Sequence, residues 1–211
     1  MSPRTESKEE PAVAYALGLL AYHSGNSDHA EAWWNQSLRI SHRYVAMIRI
    51  FSPGSMQLAG LAVELYPQFA VSWDWWGDSL RAVQPEEALL AYLQAVEIAP
   101  RRNLVWEKVA VIAYELGDQE LGFEAARRAC DIDPIRNGPC HTAARLAFHR
   151  GDWQTVIHYY VRGSFPEHPE DWTQLISAAQ HLGQLHDADK YLLLAQQRNP
   201  ADYETLLKLL P

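Results

Sequence analysis

Two aspartates four residues apart, Asp74 and Asp78 in the stretch DWWGDSL, have side chains of a type and spacing suited to chemistry. Residues four apart on a helix share a face, so the pair could serve as general acid and base. The nine histidines offer another chemistry, because imidazole binds zinc. His141 and His149 lie eight residues apart on one helix face, and His181 follows 32 residues after His149. Stacked with a carboxylate, His149 and His181 would make a zinc site. Scattered solvent-facing histidines are the commoner arrangement, and no metal is expected. The sequence has no Gly-rich phosphate loop, no nucleophile elbow, no HExxH and no CxxC, so neither an enzyme nor a cofactor is expected. Cys130 and Cys140 give no disulfide framework and no metal-ligand spacing. The expectation is two free thiols in or near a helix pair, a reducing compartment and a cytoplasmic protein.

Charge narrows the partners. The chain carries 18 Lys and Arg against 26 Asp and Glu, a net charge of -8. Nucleic acid is recognised by clustered cations that displace phosphate counterions, and the densest basic spots here are only Arg101-Arg102 and Arg127-Arg128. Nucleic acid and anionic membrane surfaces are therefore excluded as expected partners. Residues 1–10, MSPRTESKEE, read as a flexible polar segment. The apolar stretch Ala12 to Tyr22 is far shorter than the roughly 20 residues a membrane span needs, so no insertion is expected.

The elements that position these residues emerge from internal periodicity. Pro67, Pro100 and Pro134 follow small or apolar helix ends at steps of 33 and 34 residues, and Pro200 ends a later one. Gly117 and Gly151 are 34 apart, and Gly183 follows 32 later. Gly25 has the same character. Between each glycine and each proline, apolar and small residues recur at helical spacing. Glycine stops one helix, a neighbouring Asp or Asn caps the next, and proline closes it. Each unit reads as helix, turn, helix, stop.

Trp106, Gly117, Asp118, Ala126, Ala129 and Pro134 stand at offsets that resemble the tetratricopeptide repeat. Gly122 replaces that family's usual Ala. Leu17, Gly18, Gly25 and Ala30 repeat the pattern earlier; Trp73, Trp76, Gly77, Ala88, Tyr92 and Ala95 repeat it in a unit one residue short. Trp172, Leu175, Gly183 and Ala195 repeat it near the end. The resemblance implies an all-α, right-handed α-solenoid (superhelix) of stacked helix-turn-helix repeats. The expected units are 11–44, a shortened 43–68, 69–102, 103–136, 137–170 and 169–200, with a capping helix at 201–211, all in one solenoid over 11–211. In the shortened unit two brief helices flank Ser52-Pro53-Gly54-Ser55; a break between sub-arrays is the alternative. Trp34, Trp76, Tyr92, Trp106, Tyr160 and Trp172 are expected to fill the core beside small residues at the crossings.

The resemblance also implies a concave groove lined by the first helix of each unit. Matched residue by residue, that groove takes Tyr15, Leu19, Tyr22 and His23, then Asp74, Asp78 and Arg81. It continues with Glu107, Val111 and Tyr114, then His141, Arg145, Phe148 and His149, and ends with Ser177 and His181. The positions with which one subgroup clamps a chaperone's terminal carboxylate hold Tyr15, Leu19, Glu107, Val111, His141 and Arg145. Only Arg145 has a suitable type, so that clamp is not expected. The expected function is a protein-interaction scaffold that holds a partner peptide or domain, with Asp74, Asp78 and Glu107 favouring a basic one. The alternatives are a structural module that self-associates into homo-oligomers, or the soluble arm of a larger membrane or glycosyl-transfer system.

Overall fold

Periodic apolar residues over 10–14 positions, punctuated by Gly and Pro, produce helices and little else. The computed structural model describes residues 10–163 and 165–210, and among them there are thirteen α-helices, one 3-10 turn and no strand. The expected flexible segment 1–10 lies outside the described residues except for Glu10, which begins the first helix. The chain divides into two compact units at Pro100 and Arg101.

The first unit holds α1 (Glu10–His23), α2 (Ser27–Ile40), a 3-10 turn (His42–Tyr44), α3 (Val45–Phe51), α4 (Met56–Leu65), α5 (Ala70–Leu80) and α6 (Pro85–Ile98). The second holds α7 (Asn103–Glu115), α8 (Gln119–Ile132), α9 (Asn137–His149), α10 (Trp153–Arg162), α11 (Pro169–His181), α12 (Leu185–Arg198) and α13 (Tyr203–Leu209). α1 packs on α2, α5 on α6, α7 on α8, α9 on α10 and α11 on α12, and α13 lies against α11.

One turn device recurs. Gly25, Gly117, Gly151 and Gly183 have φ of +71 to +87°, a backbone region that other residues enter only with strain. After Gly25, Gly117 and Gly151 the following residue caps the next helix, whereas Gln184 after Gly183 makes no such bond. Asn26 accepts a bond from the His29 N–H (3.3 Å), Asp118 from Leu121 (3.0 Å) and Asp152 from Thr155 (3.2 Å). Gly77 serves another purpose. A Cβ there would stand 2.4 Å from the Tyr92 ring, so the absence of a side chain is what lets α5 and α6 close up.

Trp34, Tyr92, Tyr160 and Trp172 are sealed in the core, and Trp106 is only 7% exposed. Trp76 departs from expectation: it is half-buried, and its neighbour Trp75 is the fully buried ring. The short α3 and α4 explain the exchange. They bring the Ser52-Pro53 corner to α5, where the Trp75 indole N–H lies 3.1 Å from the Ser52 carbonyl and 3.2 Å from that of Pro53. A tryptophan one helical step away cannot make that bond.

The cysteine expectation is corrected. Cys130 at the end of α8 and Cys140 in α9 form a disulfide, with Cα atoms 4.8 Å apart. Asp133 to Arg136 turn the chain back on itself, bringing residues ten apart in sequence within bonding reach. Gly163 makes room beside it, since a Cβ there would meet the Cys140 Cβ at 2.5 Å. The free thiols that argued for a reducing compartment are therefore not present.

Candidate protein-interaction surface

The expected groove residues fall into three classes. Some stand open on the first helix of a pair, some are half-buried or buried among apolar neighbours, and others are bound into buried charge clusters.

In the first unit, Tyr15 and Leu19 are half-buried, and the Tyr15 ring lies 5.2 Å from that of Tyr44. Tyr22 is 43% exposed but is braced by Trp34 at 5.9 Å and Phe51 at 5.6 Å, with the exposed His23 beside it. Asp74 is only 3% exposed. It accepts a 2.6 Å bond from Arg49 Nη1, while Arg49 Nη2 donates to Asp78. The Tyr92 hydroxyl donates to the other Asp78 oxygen at 2.9 Å. Burial works against the Arg49 charge, but Asp74 and then Asp78 outweigh it and lift the guanidinium above its ordinary value. Burial, followed by the Asp78 charge, pushes the Tyr92 phenol far up, so it remains a donor. The aspartates that suggested an acid/base pair are thus both held by one arginine. Arg81 is exposed at the helix end.

Sequence reasoning missed Arg49. The signal was faint: a cation inside the otherwise apolar run VAMIRIF, on a helix that the shortened unit places beside α5.

In the second unit, Glu107 is half-buried and 3.7 Å from Arg136, and Val111 is half-buried. Tyr114 is 46% exposed. His141 is buried, its ring 5.3 Å from that of Tyr160 and its Nδ1 3.8 Å from Asp171. Arg145 grips Asp171 with two bonds, Nε to Oδ1 at 2.6 Å and Nη2 to Oδ2 at 2.8 Å. The Tyr160 hydroxyl lies 2.9 Å from Asp171 and 2.8 Å from Gln174. Burial opposes the charge on Asp171, but the Arg145 hydrogen bonds and charge prevail and hold the carboxyl below its ordinary range. Arg145 is thus a structural cation whose side chain remains 45% exposed. Asp171, which sequence reasoning also missed, was marked only by its place beside Trp172.

Phe148 is half-buried against Trp153 (5.4 Å), His149 is exposed and Ser177 is buried. His181 stacks flat on Trp153 at 4.3 Å. Among the described residues no three His, Cys, Asp or Glu side chains gather as metal ligands. No described helix is long and apolar enough to cross a membrane.

The exposed residues share a station. Tyr22, Tyr114 and Phe148 each stand three residues before a turn glycine, whose N–H bonds back to their carbonyls at 3.0 Å. Three of the paired helices therefore end in an aromatic facing outward or half so.

No family model matches the sequence, and no curated protein matches it. Solved structures do match. Pseudomonas aeruginosa PilF superposes with a TM-score of 0.64 at 18% identity, over 95% of this chain and 97% of that one. YrrB, described as a TPR protein with an unusual peptide-binding site, gives 0.60 at 13% identity, over 96% of this chain and 93% of its own. PilW, a type IV pilus biogenesis factor, gives 0.60 at 15% identity, over 95% of this chain and all of that one. Helical pairs closed by a glycine turn, capped by Asn or Asp and stacked through small residues thus give this chain the fold of the tetratricopeptide-repeat proteins.

Proposed function

We propose that the protein is a non-catalytic scaffold that holds an apolar segment of a partner protein against the first helices of its repeats. The observation that carries this reading is the recurrent aromatic station of Tyr22, Tyr114 and Phe148. Exposed tyrosine offers large, stiff contact area at low entropic cost, the chemistry of binding hot spots. Tyr114 has Leu104, 48% exposed, on the same helix. With Asp74 and Asp78 already held by Arg49, the acidic pair lends no support to a basic ligand at α5. The fold shared with YrrB, whose description names a peptide-binding site, supports peptide capture. The Cys130–Cys140 disulfide supports a working place in an oxidising compartment.

The test pans a displayed peptide library against the protein, then measures the selected peptides on Tyr114→Ala and, for the first unit, Tyr22→Ala. Losing a hot-spot tyrosine weakens binding about tenfold, or 1.4 kcal/mol, with helicity unchanged. Peptides that bind both variants as tightly as the parent would overturn the assignment.

A further inference from the structure

Three first helices carry a tryptophan at the same repeat station. Trp73 in α5, Trp106 in α7 and Trp172 in α11 lie 27, 28 and 28 residues before the proline that ends their unit. Two of them are covered from within the chain, each with an arginine in the cover. The Arg128 guanidinium sits 4.8 Å over the Trp106 ring. Phe165 stacks on Trp172 at 5.9 Å, and Arg198 lies 5.2 Å over Phe165. Trp106 and Trp172 are accordingly 7% and 1% exposed.

Trp73 has no such cover. Six residues before the terminal proline, where Arg128 stands in the next unit, this unit has Gln94. The result is an open notch of about 650 Å³, lined by Trp73, Trp76, Leu90 and Gln94 with Glu87 and Glu97. That volume falls within the roughly 300–1,000 Å³ of ligand sites. Leu90 is 66% exposed, and both glutamates are exposed. Among the described residues neither glutamate has an ion-pair partner. The Trp73 N–H is already committed to the Pro67 carbonyl at 2.7 Å, which leaves the electron-rich ring face as what Trp73 presents.

We propose that this notch takes an arginine side chain from a basic segment of a partner protein, laid on the Trp73 and Trp76 rings with Glu87 and Glu97 meeting its charge. The next unit makes the same contact internally with Arg128, so the repeat itself shows which chemistry the station accepts. A planar guanidinium stacks on indole and bonds to carboxylates at once, which an ammonium does less well. The notch shares no residue with the Tyr22 and Tyr114 stations, so its failure leaves their test untouched.

The full chain, labelled with ¹⁵N-indole tryptophan, yields one N–H signal for each of its eight Trp residues. Trp73→Phe and Trp76→Phe identify the two at the notch. The probe is the blocked peptide Gly-Arg-Gly-Arg-Gly, with a citrulline counterpart that keeps the shape and lacks the charge. The notch signals should move and saturate with the arginine peptide, and the citrulline peptide should bind at least about tenfold more weakly. Gln94→Arg installs the internal cover of the next unit, so it should abolish binding while preserving helicity and melting temperature. The pair Glu87→Gln with Glu97→Gln should weaken binding and flatten its salt dependence. Equal binding of both peptides, or full binding by Gln94→Arg, overturns the proposal. Notch signals that move with protein concentration alone would also overturn it, in favour of a second copy as occupant.

Discussion

Removing the Cys130–Cys140 disulfide, by replacing both residues with Ala, is expected to cost a calculable amount. The two cysteines are ten apart in sequence, and closing a loop of that length removes about 2.7 kcal/mol of chain entropy from the unfolded state. Both sites are fully buried, so Ala is preferred to Ser, which would bring an unpaired hydroxyl into the core. For a chain of this size that energy corresponds to a fall in melting temperature of about 5–11 °C. The assay is thermal unfolding followed by circular dichroism, on protein exported to an oxidising compartment. Wild type refolded under reductant should melt with the double variant. Thiol counting with a mass-shifting maleimide in denaturant should find none before reduction and two after. Two free thiols without reductant, or melts within about 1 °C of each other, would refute the bond or the loop-entropy argument.

Other outcomes follow from the buried contacts. Asp171 has its pKa lowered by Arg145, so it stabilises the fold above the ordinary carboxylate range and loses that contribution as pH falls below about 3.9. Asp171→Asn should therefore be destabilised at pH 7, with the gap to wild type closing toward pH 2.5 in urea melts. Trp75→Phe keeps an aromatic ring but removes the donor to Ser52 and Pro53 and leaves a cavity at a fully buried site, costing at least about 1–2 kcal/mol of stability by urea unfolding. Asp118→Ala loses the α8 cap and about 1 kcal/mol, measured the same way, whereas Gln184→Ala, at a cap position with no side-chain bond, should cost far less.

Local features were the most legible ones. The glycine and its capping neighbour are a two-residue device with a fixed offset, so Gly117-Asp118 and Gly151-Asp152 announced their turns directly. The two short helices flanking Ser52 to Ser55 could likewise be read from apolar runs on either side of a Pro-Gly corner. The candidate site was less legible. Position in the repeat placed Tyr22 and Tyr114 on exposed ground, but it also assigned Asp74 and His141 there, and both are buried. Repeat position records which helix face a residue occupies. It does not record what the neighbouring helix brings against that face.

Periodicity alone determined that the chain forms helix pairs, where each pair turns, and which small residues sit at the crossings, because each depends on contacts within about one repeat. Tertiary structure alone decided that Arg49 holds Asp74 and Asp78, that Arg145 holds Asp171, that Trp75 is buried in place of Trp76, and that Cys130 meets Cys140. Each of these depends on the register between one helix and the next. Register is set by helix lengths and corner geometry, so the shortened unit at 43–68 brings Arg49 and the Ser52-Pro53 corner against α5.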